Sequence, residues 1–234
     1  MKNLIIASSS AIHRGEYLGY LKDEIAELFS AADEIIFIPY ARPGGIPHDV
    51  YTEKVAETFH EMNKKLIGLH TFENPSNALQ NAKGIFTGGG NTFVLVSQLH
   101  KNNVMETLRE AVFKGAPYLG TSAGSNICGI NMQTTNDMPI VYPPSFKTLG
   151  VIPFNLNPHY LDPDLDSNHM GETRETRIKE FHTQSNIPVI GLREGSWLRV
   201  KGENIVLKGG ISVRLFEQGK DPVEIVDFTG FINL

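Results

Sequence analysis

Cysteine is almost missing: Cys128 is the only one in 234 residues. One thiol can neither close an intramolecular disulfide nor build a multi-cysteine zinc centre, and this poverty fits a reducing compartment, so a cytoplasmic location is expected. Long apolar runs are missing too. The N-terminal run Leu4-Ile5-Ile6-Ala7 gives way to Ser8-Ser9-Ser10, too short for a secretory h-region, and nothing approaches the ~18 residues of a membrane span. No membrane partner is expected. Neither sign of charge dominates, because Lys+Arg 21 against Asp+Glu 26 leaves −5. No global field would gather nucleic acid, and an anionic substrate would need local cations. Repeats, low-complexity tracts and linkers are absent. A hydrophobic content of 41% with 20% charged residues excludes a disordered or collagen-like chain, and residues 1–234 read as a single α/β domain.

What is present is alternation. Short apolar segments at 4–7, 34–39, 66–70, 84–87 and 117–120 are separated by helical patterns, the signature of βαβ units and a buried parallel sheet with helices on both faces. Tyr17, Leu18, Leu21, Ile25 and Leu28 share one helix face, as do Val104, Leu108, Ala111 and Val112, and 48–65 opens a third helix at Pro47-His48-Asp49. Beyond Ser122 come Pro- and Asp-rich loops, a helix near 174–184, and short strands at 189–192, 197–200, 204–207, 213–216 and 223–226. With Gly202 and Gly209-Gly210 as turns, the last four strands are expected to extend the sheet as an antiparallel meander.

Gly120-Thr121-Ser122-Ala123-Gly124 directly follows an apolar strand and precedes a helix. In that context G-x-S-x-G is a nucleophile elbow, with a serine on a strained turn and the next amide ready to donate to an oxyanion. Gly88-Gly89-Gly90-Asn91-Thr92 also follows a strand and opens a helix, so its amides suit an oxyanion hole or a phosphate cradle. A nucleotide loop is disfavoured, since neither a G-K-[ST] ending nor G-x-G-x-x-G spacing occurs. Among the downstream histidines His159, His169 and His182, the proline-restrained Asn157-Pro158-His159 loop offers the best base, while His182 reads as a surface or core residue of a helix. Asp137 and Glu194 are both loop carboxylates beside apolar strands, and either would serve as the orienting acid. Asp162-Pro163-Asp164-Leu165-Asp166 starts like a calcium loop, but Ser167 and Thr173 occupy the positions that need glycine and glutamate. Arg174 and Arg177, at i and i+3, would clamp a carboxylate, although Glu172, Glu175 and Glu180 offer them ordinary salt bridges.

Together, Gly88–Thr92, Gly120–Gly124, Thr134-Thr135-Asn136-Asp137-Met138-Pro139-Ile140, Asn157-Pro158-His159 and Gly171-Glu172-Thr173-Arg174-Glu175 resemble the peptidase E family of α-aspartyl dipeptidases, in order and spacing along nearly the whole chain. The resemblance implies a fold similar to class I glutamine amidotransferases and a serine exopeptidase acting on dipeptides with an N-terminal aspartate. It implies no metal and no cofactor. Carried over by position, Ser122 matches the nucleophile, His159 the base, the Gly90 and Ala123 amides the oxyanion hole, and Asp137 and Glu194 the carboxylates of a triad. Asp137 is favoured as the better motif match. Arg174 and Arg177 then become candidates for the substrate carboxylate, with Asn91 and Asn136 as polar contacts. Thr121 departs from the tryptophan common at that place in the family. Alternatives are a cyanophycinase-like or isoaspartyl-peptide serine hydrolase, an α/β-hydrolase-type esterase, and a catalytically silent binding module. The expected partner is a small acidic peptide, with no nucleic acid, and the chain is expected to be a monomer or homodimer.

Overall fold

Apolar side chains on successive strand residues point to opposite faces, so a strand apolar throughout must be covered on both. The computed structural model, which describes residues 1–42, 46–163 and 171–228, places five such strands in parallel: β1 (Asn3–Ala7), β2 (Glu34–Ile38), β3 (Lys65–Gly68), β4 (Ile85–Thr87) and β5 (Tyr118–Thr121). With antiparallel β8 (Trp197–Lys201) and β9 (Asn204–Lys208) they form a seven-stranded sheet in the order β3-β2-β4-β5-β1-β8-β9. Ile5, Ala7, Ile35, Phe37, Phe86 and Leu119 face α1 (Lys22–Leu28) and α2 (His48–Glu61), meeting Ile25, Leu28, Val55 and Phe59. Leu4, Ile6, Ile36, Ile38, Ile85 and Tyr118 face α4 (Thr92–Lys101) and α5 (Met105–Lys114), meeting Leu95, Leu99, Leu108 and Val112. Each fully buried Leu, Ile, Val or Phe among them contributes about 1.5–3 kcal/mol. A short α3 (Pro75–Gln80), capped by the Asn74 side chain on the Asn77 amide, completes this layer beside α5.

The tail departs from the expected meander. Only β8 and β9 extend the main sheet. β10 (Val213–Phe216) and β11 (Val223–Ile225) join β7 (Val189–Leu192) and β6 (Asn155–Pro158) in a second sheet, ordered β11-β10-β7-β6. The cause is the Gly209-Gly210 turn, whose φ values of 97° and 70° send the chain out of the main sheet after β9. Leu156, Ile190, Leu192 and Leu215 still bury into the core beneath α4 and α5. Two helices are shorter than their periodicity suggests. The first is a 3-10 turn, Gly19–Leu21, running into α1, and α2 stops at Glu61, with Asn63 in the left-handed region at φ 56°. No helix among the described residues is long and apolar enough to cross a membrane.

Candidate active site

Because β1, β4 and β5 are parallel neighbours, their carboxyl ends open onto one crevice. β4 delivers Gly88–Asn91, β5 delivers Ser122 ahead of α6 (Ala123–Asn126), and β1 delivers Ser8. The second sheet reaches the same place: β6 and β7 run parallel with Pro158 opposite Leu192, so His159 and the Arg193-Glu194 turn emerge side by side. Ser8 stitches the two. Its buried hydroxyl donates to the Leu192 carbonyl at 2.7 Å and accepts the His159 amide at 2.9 Å, while the Tyr160 amide donates to the same carbonyl at 3.1 Å.

Ser122 stands at φ 53°, ψ −111°, a conformation that costs a non-glycine residue about 1–3 kcal/mol. Its amide donates to the Ala7 carbonyl at 3.2 Å, which anchors the turn against β1. His159 Nε2 lies 2.9 Å from Ser122 Oγ, and His159 Nδ1 lies 2.6 Å from Glu194 Oε1. A carboxylate only accepts, so Nδ1 carries the proton and Nε2 is left to receive one from serine. The His159 and Glu194 side chains are 40% and 47% exposed, leaving the couple open to solvent and substrate. Gly90 adopts φ 146°, and a Cβ there would run into the Ala41 carbonyl, so only glycine fits. Ala123 opens α6, where the first amides have no helical acceptor. The lone Cys128 is no rival nucleophile, because complete burial pushes its thiol pKa far up.

The acid favoured by motif is not the one beside the imidazole. Asp137 Oδ2 accepts from the Thr92 amide at 2.7 Å and from the Thr92 and Thr135 hydroxyls at 2.6 and 3.0 Å. It is a capping carboxylate at the positive end of α4, and Glu194 takes the place beside His159. Asn91 and Asn136 are also engaged within the fold. Asn91 Oδ1 accepts the Val94 amide at 3.1 Å as the α4 N-cap, and its Nδ2 donates to the Met138 carbonyl at 2.9 Å. Asn136 Nδ2 donates to the Pro158 carbonyl and its Oδ1 accepts from Asn157 Nδ2, each at 2.7 Å, so it braces the His159 loop instead of presenting its amide to a ligand.

The two arginines differ. Arg177 is exposed and pairs with Glu172 at 3.7 Å, as ordinary surface charge would. Arg174 opens α7 (Arg174–Phe181), is half-buried, and has no carboxylate within ion-pair distance among the described residues. Desolvation and, secondarily, the Arg177 charge pull its pKa below the usual guanidinium value, against the attraction of nearby Asp137. Among the described residues, then, this cation has no counterion in contact. His182 belongs to the core: its Nε2 donates to the Ile187 carbonyl at 2.9 Å. His169 and Asp164–Asp166 of the calcium-like run lie outside the described residues, among which no group of three or more His, Cys, Asp or Glu side chains is disposed to hold a metal ion.

Two features escape a reading of the sequence. Ser8 gives only the hint of a hydroxyl just past a buried strand. Arg193 gives none: it lies 5.6 Å over the Tyr160 ring, forks onto Asp162 at 2.7 and 2.8 Å and bonds Glu224 at 2.9 Å, fixing the turn that carries Glu194. The Arg193 bonds, joined by Ser212 and Arg214, hold the Glu224 carboxyl down to about 2 despite partial desolvation.

Known proteins supply the frame for this geometry. Peptidase E of Streptomyces coelicolor is 45% identical over 223 residues, covering 95% of this chain and 90% of that protein. A probable alpha-aspartyl dipeptidase of Drosophila melanogaster is 43% identical over 219 residues, covering 92% and 90%. In the fold, a crystal structure of a putative peptidase E from Listeria monocytogenes matches with TM-score 0.66 at 21% identity over 89% of this chain and 98% of that one. A peptidase from an acI-B1 actinobacterium matches with TM-score 0.68 at 16% identity over 96% and 97%. Residues 4–208, from β1 through β9 and including every residue of the serine, histidine and glutamate array, match peptidase family S51, and the chain belongs to that family.

Proposed function

We propose that the protein is a serine exopeptidase that hydrolyses dipeptides with an N-terminal aspartate. The reading rests above all on the hydrogen-bonded line Ser122–His159–Glu194 at the edge of two sheets. The names of its relatives, peptidase E and probable alpha-aspartyl dipeptidase, supply the substrate class. A nucleophile on the turn after a central parallel strand also suits a fold similar to class I glutamine amidotransferases.

In this mechanism Ser122 Oγ attacks the aspartyl carbonyl carbon while its proton passes to His159 Nε2. The carbonyl oxygen becomes an oxyanion facing the Gly90 and Ala123 amides. As the tetrahedral centre collapses, the C–N bond breaks and Nε2 returns its proton to the leaving amine. Water then attacks the ester carbonyl carbon and gives a proton to Nε2; the bond from that carbon to Ser122 Oγ breaks, Nε2 returns the proton to Oγ, and aspartate leaves. Glu194 keeps the imidazole in the required tautomer and stabilises it when charged. Arg174, half-buried and with no counterion in contact among the described residues, receives the aspartate side chain.

A hydrolysis panel tests the proposal. Asp-Leu should be cleaved well above Asn-Leu, isoAsp-Leu and a p-nitrophenyl ester, with or without chelator. Preferred cleavage of isoAsp-Leu would transfer the site to isoaspartyl peptides, and preferred cleavage of the ester would make it an esterase.

A further inference from the structure

Five of the eight arginines, Arg109, Arg177, Arg193, Arg199 and Arg214, have carboxylates within 4.0 Å. Among the described residues Arg14, Arg42 and Arg174 have none. Arg14 follows β1, Arg42 follows β2 and Arg174 lies beyond β6, so all three come after carboxyl ends of strands. In a chain of net charge −5, guanidinium groups left without counterions on connections that leave strands this way point to an acidic ligand.

Arg42 is tied to the reacting turn by its neighbours. The preceding Ala41 carbonyl accepts the Asn91 amide at 2.7 Å and backs Gly90. The Arg42 guanidinium carbon stands 4.8 Å over the Tyr51 ring. That ring is 4% exposed, packs on Phe37 with centroids 5.1 Å apart, and donates its hydroxyl to the Gly89 carbonyl at 3.3 Å. Gly89 itself lies against the nucleophile: a Cβ there would be 3.0 Å from Ser122 Cβ. An exposed cation is therefore seated on a fixed aromatic face beside the Gly88–Asn91 turn, its N–H groups making no hydrogen bond among the described residues. Arg174 stands in the field of Asp137, which caps α4 through Thr92, the residue that follows the same turn.

A dipeptide with an N-terminal aspartate carries two carboxylates, the side chain and the C-terminus, and the surroundings of the oxyanion turn offer two arginines, Arg42 and Arg174, that have no carboxylate partner among the described residues. We infer that Arg42 binds the free C-terminal carboxylate of the substrate, while Arg174 takes the side chain. This rests on the dipeptidase reading and adds to it a reason why the substrate ends after two residues. The C-terminal carboxylate of a dipeptide lies within one residue, about 3.5 Å of chain, of the scissile bond. Amidation removes its charge, and a third residue carries it away from Arg42.

The test compares Asp-Leu with Asp-Leu amide in the wild-type protein, Arg42→Gln and Arg42→Lys. Wild type should favour Asp-Leu in kcat/KM by about 10- to 100-fold, the size of one charge-assisted contact at a partly exposed site, with the difference in KM. Arg42→Gln should abolish the preference, and Arg42→Lys should restore part of it. Wild-type turnover of Asp-Leu that is indifferent to amidation overturns the Arg42 assignment alone, as does an Arg42→Gln protein that keeps the wild-type ratio. No turnover of Asp-Leu by the wild type overturns the dipeptidase reading, and the assignment with it.

Discussion

Replacing Glu194 by glutamine separates two carboxylates, of which the sequence motif favours the other, Asp137. Glu194 Oε1 holds His159 Nδ1 at 2.6 Å, and a glutamine there can turn its NH₂ toward the ring. The imidazole would then shift its proton to Nε2, the atom that must accept from Ser122. In a buried couple such a change lowers turnover by as much as the order of 10⁴. Here the side chains are 40% and 47% exposed, so water shares the work and the loss should approach the value of one charge-assisted hydrogen bond, about 1.5–3 kcal/mol. That is about 10- to 150-fold in kcat, at ~1.4 kcal/mol per tenfold, with KM for Asp-Leu little changed. Asp137→Asn should behave differently. Asparagine still offers an oxygen to the Thr92 amide, so the cost is about 1 kcal/mol or less of α4 capping and a Tm lower by about 2–4 °C at most. Loss of the Asp137 charge beside Arg174 should lower KM for an acidic substrate. Initial rates on Asp-Leu with Tm measured on the same preparations give both readouts. An Asp137→Asn protein that loses more turnover than Glu194→Gln at equal fold would refute the reasoning.

Ser8→Ala removes the hydroxyl that joins His159 N–H to the Leu192 carbonyl, so kcat should fall about tenfold with KM nearly constant. Ser8→Thr should recover much of it, and a KM effect without a kcat effect would speak against the stitch. Arg174→Ala should erase most of the preference for Asp-Leu over Asn-Leu, by about 10- to 100-fold in kcat/KM; an unchanged ratio would move the determinant elsewhere. Glu224 has a carboxyl pKa depressed from an ordinary 4.5 to about 2. It therefore contributes stability above about pH 4.5 that is lost as pH falls toward about 2. Thermal unfolding of Glu224→Gln should show a Tm deficit at pH 6 that closes by about pH 2, and a deficit independent of pH would contradict the ion pairs with Arg193 and Arg214.

The parallel core was legible because Leu4–Ala7 and Ile85–Phe86 are apolar on both faces, which only a sheet covered on both sides requires. Ser122 was legible because small residues flank it between a strand and a helix, and His159 because Pro158 restrains its loop. The choice of acid was not. It depends on β6 and β7 lying parallel with Pro158 opposite Leu192, a pairing between distant segments that local pattern does not encode. β6 itself is disguised: Asn155, Asn157 and Pro158 are poor strand formers. The fold tolerates the buried asparagines because Asn155 bonds Asn131 and Asn157 bonds the Thr134 carbonyl and Asn136. Once β6 goes unrecognised, the second sheet has no first strand, and the tail reads as an extension of the main one. Asn91 and Asn136 resemble ligand contacts in the sequence for the same reason they serve as braces: an amide carries both a donor and an acceptor.

The central claim is that Ser122 carries the acyl group. Incubation with a fluorophosphonate, followed by peptide mass spectrometry, should place one adduct on Ser122, with Asp-Leu hydrolysis lost in proportion to labelling. Ser122→Ala should be folded, unlabelled and inactive, whereas Ser125→Ala should keep most of its activity. Asp-Leu turnover by Ser122→Ala, or an adduct on another residue that tracks the loss of activity, would contradict the account.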